Sequence, residues 1–130
     1  MTNIKPRVLV VEDDDILRDL LSLLLEMEGF DVLTSVNGAE GLAVLQHTTV
    51  DVVVLDLMMP VMDGFRFMQV LGSQTPQTQS PLPRVVVLSA AADGDNVAEL
   101  LLAGVDAAVR KPVDFVELLA HLRALVGGGA

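Results

Sequence analysis

Glu12 and Asp13 follow the apolar run RVLVV at 7–11, and Asp56 follows VVVL at 52–55. A carboxylate taken out of water without a partner is costly, so an acid at the end of an apolar run calls for compensating chemistry. Ser89 follows a second VVVL at 85–88, and Arg110-Lys111-Pro112 follows AAV at 107–109. If these ends meet, three carboxylates, a hydroxyl and an ammonium share one place. Carboxylates that close repel and raise one another's pKa, and a hard dication relieves the strain. Mg²⁺ takes oxygen ligands in an octahedron and keeps several waters. Glu12, Asp13 and Asp56 supply oxygen and charge, and a main-chain carbonyl just past Asp56, that of Met58, adds a further ligand. With no cysteine, and with His47 and His121 as the two histidines, little remains for a zinc site.

A metal accounts for the acids but leaves Ser89 and Lys111 unexplained. Both make sense if Asp56 accepts a phosphoryl group, a known role of aspartate. Phosphoryl transfer is chiefly positioning and charge neutralisation. Mg²⁺ would neutralise one phosphoryl oxygen, the Lys111 ammonium a second, and the Ser89 hydroxyl would donate to a third. Pro112 fixes the backbone after Lys111, through a turn or a cis bond. Asp14 and Asp15 read differently, as acids favoured at a helix N-terminus.

The elements that must position these groups alternate. Short β-like runs are expected at Arg7–Val11, Asp31–Ser35, Val52–Leu55, Val85–Leu88 and Ala107–Arg110. Helices are expected at Asp15–Met27, with Leu17, Leu20, Leu21 and Leu24 at helical spacing, and from an Asn37–Glu40 capping box to about His47. Others are expected at Gly64–Leu71 with Phe65, Met68 and Leu71 on one side, at Asp95–Ala103, and from an Asp114–Glu117 box to about Val126. Gly29 and Gly104 stop helices. Pro60 and Asp63-Gly64 mark turns, and 72–83 (GSQTPQTQSPLP) reads as an exposed loop. Such alternation implies a parallel sheet covered on both faces, with ligands at the carboxyl ends of its strands. In the strand order 2-1-3-4-5, the ends of strands one, three, four and five are consecutive.

Composition narrows the function classes. Eighteen acids against eight bases give a formal charge of −10, which phosphate backbones repel, and Trp and Tyr are absent. No nucleic-acid partner is expected for these residues. The first residues show no secretory signal, and the apolar stretch at Leu17–Met27 is interrupted by Arg18, Asp19 and Glu26, so no membrane span and a cytoplasmic location are expected.

The segments VLVVEDD, VVVLDLMMPVMDG and VVVLSA, with the RKP of the fifth strand, resemble in order and spacing the receiver domain of two-component response regulators. The resemblance covers nearly the whole chain. It implies one receiver domain over residues 1–130, with a core at about 6–126 and a Gly-rich tail at 127–130. The implied fold is a flavodoxin-like (βα)5 doubly wound parallel α/β sheet of order 2-1-3-4-5. It further implies that Asp56 is phosphorylated by a histidine kinase or histidine phosphotransfer protein. Mg²⁺ would sit on Glu12, Asp13, Asp56 and the Met58 carbonyl, Ser89 would be the switch hydroxyl, and Lys111 the phosphate-binding lysine. Such a chain is a signalling module that catalyses its own phosphorylation and dephosphorylation, with Asp56 and Lys111 as the reacting pair, rather than a turnover enzyme.

Two positions depart from the family pattern. Ala108 stands where receivers usually carry an aromatic residue, and Val113 where a phenylalanine usually follows the Lys-Pro pair. The apolar residues of Val97–Leu102 and Ala107–Val109 suggest that the fourth predicted helix, the fifth strand and the fifth predicted helix form a face for a downstream protein or a second copy. Three rivals remain. A haloacid-dehalogenase-type aspartyl-phosphate phosphatase wants an aspartate two residues past its nucleophile, where Met58 stands. A flavin or nucleotide binder wants a phosphate loop after strand one, where Glu12–Asp15 would repel it. A degenerate receiver would keep the fold as a phosphorylation-independent interaction module.

Overall fold

The computed structural model describes residues 5–57, 64–73, 82–89 and 104–127. The Met58 carbonyl, the turns at Pro60 and Asp63, most of the polar 72–83 stretch, the helix expected at Asp95–Ala103 and the last three residues lie outside them. Along the chain come β1 (Arg7–Val11), α1 (Asp15–Met27), β2 (Asp31–Ser35), α2 (Gly38–His47) and β3 (Val52–Asp56). They are followed by α3 (Gly64–Ser73), β4 (Arg84–Ser89), β5 (Ala107–Arg110) and α4 (Phe115–Gly127). The strand ends move slightly from the sequence reading: β3 takes in Asp56 and β4 takes in Arg84 and Ser89.

All five strands run parallel in the order β2-β1-β3-β4-β5. Val10 pairs with Val54, and Val54 with Val86, so β-branched residues face one another across the sheet centre. Side chains alternate between faces. Leu9, Val11, Val53, Leu55, Val85 and Val87 pack with Leu42 of α2 and Phe67, Met68 and Leu71 of α3. Val8, Val10, Val52, Val54, Val86 and Leu88 pack with Leu21 and Leu25 of α1 and Leu118 and Leu122 of α4. Each fully buried valine or leucine contributes roughly 1.5–3 kcal/mol over an exposed one. This doubly covered parallel sheet is the flavodoxin-like architecture.

The helices begin where polar side chains cap them. Asp14 accepts from the N–H groups of Ile16 and Leu17, Asn37 from that of Glu40, and Asp114 from those of Val116 and Glu117. Each satisfies amide donors that have no partner within the helix. α1 ends in a left-handed Gly29 at φ 97°, where the Phe30 N–H donates to the Leu25 carbonyl and the Gly29 N–H to that of Glu26. Phe30 and Leu25 share the core beneath this turn, which completes a Schellman motif.

The α1 phase differs from the sequence reading: the helix anchors through Leu21 and Leu25, while Leu20 is exposed. α3 buries Met68 and Leu71 as expected, with Phe67 beside them. Both helices carry apolar residues on more than one side, so spacing alone leaves the buried face undetermined. No helix among the described residues is long and apolar enough to cross a membrane.

Gly29→Ala keeps every contact but puts a Cβ on a left-handed residue. It is expected to destabilise the fold by about 1 kcal/mol without changing the denaturant m-value. Urea unfolding checks it.

Candidate metal and phosphoacceptor site

Backbone hydrogen bonds carry the pairing past the strand ends and fix the residues there. The Glu12 N–H donates to the Ser35 carbonyl at 3.1 Å, the Leu57 N–H to Leu88 at 3.0 Å, and the Lys111 N–H to Ser89 at 2.7 Å. Pro112 follows Lys111 through a cis peptide bond, one of the two geometries its sequence allowed.

One carboxylate oxygen from each of Glu12, Asp13 and Asp56 falls within 4.8 Å of the other two. Glu12 and Asp56 are buried and Asp13 is exposed, so the cluster opens to solvent on one side. Lys111 Nζ lies 3.1 Å from Asp56 Oδ2 and 3.6 Å from Glu12 Oε1. Glu12 Oε2 accepts from the Asp14 N–H at 3.1 Å, but its Oε1 is buried without a hydrogen-bond partner. A buried carboxylate oxygen that accepts no hydrogen bond is expensive, and the Lys111 ammonium at 3.6 Å offsets that only in part. An all-oxygen, anionic donor set with one such orphan fits a hard dication of the Mg²⁺ kind. Bound there, Mg²⁺ would supply charge neutralisation and orient oxygen atoms around Asp56.

The electrostatics agree with that fit. Burial, reinforced by Asp56 and partly offset by the Asp14 N–H and Lys111, pushes Glu12 up to about pKa 7. Burial alone would lower Lys111, but the Asp56 and Glu12 carboxylates outweigh it and raise its pKa, so the ammonium stays charged. Ser89, buried at the end of β4, adjoins β3 and holds Lys111 through its own carbonyl. The structure thus brings Glu12, Asp13, Asp56 and Lys111 together and sets Ser89 at the neighbouring strand end. Met58 lies outside the described residues.

Sequence reasoning assigned Arg18 no place here. Its Nη1 donates to the Glu12 main-chain carbonyl at 2.9 Å and its Nη2 to Asp15 Oδ1 at 2.5 Å. The available signal was a basic residue within the apolar pattern of α1, one turn from the acids. His47 is exposed and His121 sits 3.8 Å from Glu117 on α4, both remote from the acid cluster in sequence and element.

Comparison with known proteins gives a consistent picture. The model of the response regulator receiver domain matches residues 8–123. The chain is 36% identical over 121 residues to the DNA-binding dual master transcriptional regulator RpaA of Synechocystis sp., across 93% of this chain and 49% of that protein. It is 39% identical over 121 residues to the transcriptional regulatory protein PrrA of Mycobacterium leprae, across 93% of this chain and 50% of that one. The chain therefore spans about half the length of the curated relatives it matches. Among solved structures, the Francisella response regulator 1452 receiver domain superposes with a TM-score of 0.86 at 30% identity, covering 97% of this chain and all of that one. The chemotaxis protein CheY4 of Vibrio cholerae gives 0.82 at 29% identity, covering 94% of this chain and 99% of that one. Fold, strand order and sequence agree: the chain belongs to the response regulator receiver domain family, the signalling modules of two-component systems.

Proposed function

We propose that Asp56 accepts a phosphoryl group from a histidine kinase or histidine phosphotransfer protein, in a Mg²⁺-dependent reaction. The observation that carries this reading is the convergence of Glu12, Asp13 and Asp56 within 4.8 Å, with Lys111 Nζ 3.1 Å from Asp56 Oδ2. A bond forms from an Asp56 carboxylate oxygen to phosphorus as the bond from phosphorus to the donor's histidine nitrogen breaks. Glu12, Asp13 and Asp56 would hold the metal, with the Met58 carbonyl as the further ligand that the family resemblance implies. Lys111 neutralises one phosphoryl oxygen and the Ser89 hydroxyl donates to another. The module works in the cytoplasm and passes its signal on by protein contact. That contact, to a downstream protein or a second copy, uses the face the sequence predicts for its fourth helix, fifth strand and fifth helix.

The donor's contact is a separate surface. Ile16, Leu20, Leu23 and Met27 project from α1 at helical spacing, with Ile16 81% and Met27 72% exposed. That 4-3-4 spacing is the seam one helix offers another. Asp19 and Glu26 flank it. A partner helix with basic flanks fits such a seam, whereas a second copy would set like charges against each other. α1 starts two residues after Asp13, so a helix docked there reaches the acid cluster.

Acetyl phosphate with Mg²⁺ is expected to phosphorylate wild type and not Asp56→Asn, read by intact mass. No modification of either would leave the degenerate-receiver reading standing. Leu20→Glu is expected to slow transfer from a cognate kinase by about tenfold or more, with modification by acetyl phosphate unchanged.

Glu12 supplies a pH test in the metal-free protein. Its folded pKa of about 7 lies above its ordinary 4.5. Between those values the folded chain holds a proton that the unfolded chain has lost, so this group's stabilisation is full below pH 4.5 and lost as pH rises through 7. Glu12→Gln removes that slope. Its stability relative to wild type should grow by on the order of 1–3 kcal/mol from pH 4.5 to 7.5 in chelator, measured by urea unfolding.

A further inference from the structure

Arg18 is half-buried, more covered than a surface ion pair requires. Its side chain is 13% exposed, on a helix face otherwise held by leucines, while its partner Asp15 is 80% exposed. An ion pair to so exposed a carboxylate contributes little and does not account for the arginine side chain being held against the protein. The other arm of the fork explains the burial, because Nη1 donates to the Glu12 carbonyl at 2.9 Å. Arginine suits this task, since its planar fork binds two acceptors in a fixed geometry.

That carbonyl governs Asp13. The Glu12 C=O and the Asp13 N–H belong to one rigid peptide plane, so fixing the oxygen fixes the frame from which the Asp13 side chain leaves. The other polar groups around the turn are also engaged. The Glu12 N–H donates to Ser35, Glu12 Oε2 accepts from the Asp14 N–H, Asp14 caps α1, and Asp15 binds Arg18. Among the described residues the Asp13 side chain has no hydrogen bond or ion pair, yet one of its oxygens lies within 4.8 Å of Glu12 and Asp56 oxygens. Asp13 is therefore aimed by its backbone, not by contacts of its own.

We infer that Arg18 is a positioning residue for the metal site: by holding the Glu12 carbonyl it points Asp13 at the ion. The inference rests on the Mg²⁺-dependent reading above. It has a sign that bulk electrostatics does not. Arg18 is a cation near three acids, so removing it should tighten Mg²⁺ binding if charge alone mattered. Loss of positioning weakens binding, and losing an outer-shell partner of a metal ligand typically costs about 10–100-fold in affinity.

The test is Mg²⁺ titration by calorimetry on wild type, Arg18→Met, Arg18→Lys and Asp15→Asn, each checked for folding by circular dichroism. Arg18→Met should raise the Mg²⁺ Kd by about tenfold or more, and Arg18→Lys, which can reach one acceptor, should fall between it and wild type. Asp15→Asn keeps the carbonyl contact and should stay within about threefold of wild type. At saturating Mg²⁺, the rate of Asp56 modification by acetyl phosphate should return to the wild-type value. Without metal, amide hydrogen exchange at Asp13 and Asp14 should quicken in Arg18→Met while that of Leu9–Val11 stays slow. A folded Arg18→Met that binds Mg²⁺ as tightly as wild type, or more tightly, overturns the role of Arg18 alone. A wild type that binds no Mg²⁺ overturns the metal reading and this inference with it.

Discussion

The Lys111 ammonium lies between two buried carboxylates, 3.1 Å from Asp56 and 3.6 Å from Glu12, at an end of the sheet that opens to solvent on the Asp13 side. A buried charge must be matched, and one lysine cannot match three acids. With every group ionised, two negative charges remain. In the metal-free protein, burial and the neighbouring Asp56 raise the Glu12 pKa to about 7, so it takes up a proton more readily than a free carboxyl. A dication would serve the same purpose while leaving the carboxylates ionised. Proton and dication would be alternative solutions to one electrostatic constraint. Lys111 stays charged under either solution, because the carboxylates that need it also raise its pKa.

The scaffold exists to make that crowding tolerable. Parallel strands release their carboxyl ends together on one edge, so residues distant in sequence meet there. The valine ladders of β1, β3 and β4 hold those ends in register by packing on both faces. Hydrogen bonds from Glu12 to Ser35, Leu57 to Leu88 and Lys111 to Ser89 continue that register beyond the strands. α1 serves two purposes at once. Leu21 and Leu25 anchor it to the sheet, and Ile16, Leu20, Leu23 and Met27 remain outside. β5 is different in character, with small Ala107 and Ala108 packed against the two cores where β1, β3 and β4 carry valine and leucine.

The sequence discloses strands better than helix phases, for a physical reason. A strand buried on both faces must be apolar throughout, so VLVV, VVVL and VVVL show themselves whatever their orientation. A helix shows its buried face only through contrast with a polar one. α1 has leucine at 17, 20, 21, 23, 24 and 25, and the contrast is too weak to choose Leu25 over Leu20. In α3 the pattern equally fails to single out Phe67. Caps are legible because they are local: Asn37 and Asp114 bond amides two or three residues on.

The site divides along the same line. Glu12, Asp13, Asp56 and Lys111 could be read because topology alone brings strand ends together, and their side-chain types name the chemistry. Arg18 could not, because what it holds is a main-chain carbonyl. Every residue carries that carbonyl, so the acceptor leaves no mark in the sequence, and the Asp15 beside it offers a sufficient surface explanation for an arginine one turn later. A side chain that acts by fixing another residue's peptide plane is visible only once its burial is known. Here the decisive contrast is an arginine side chain 13% exposed against an aspartate side chain 80% exposed, since a pair formed for its own sake would have left both in water.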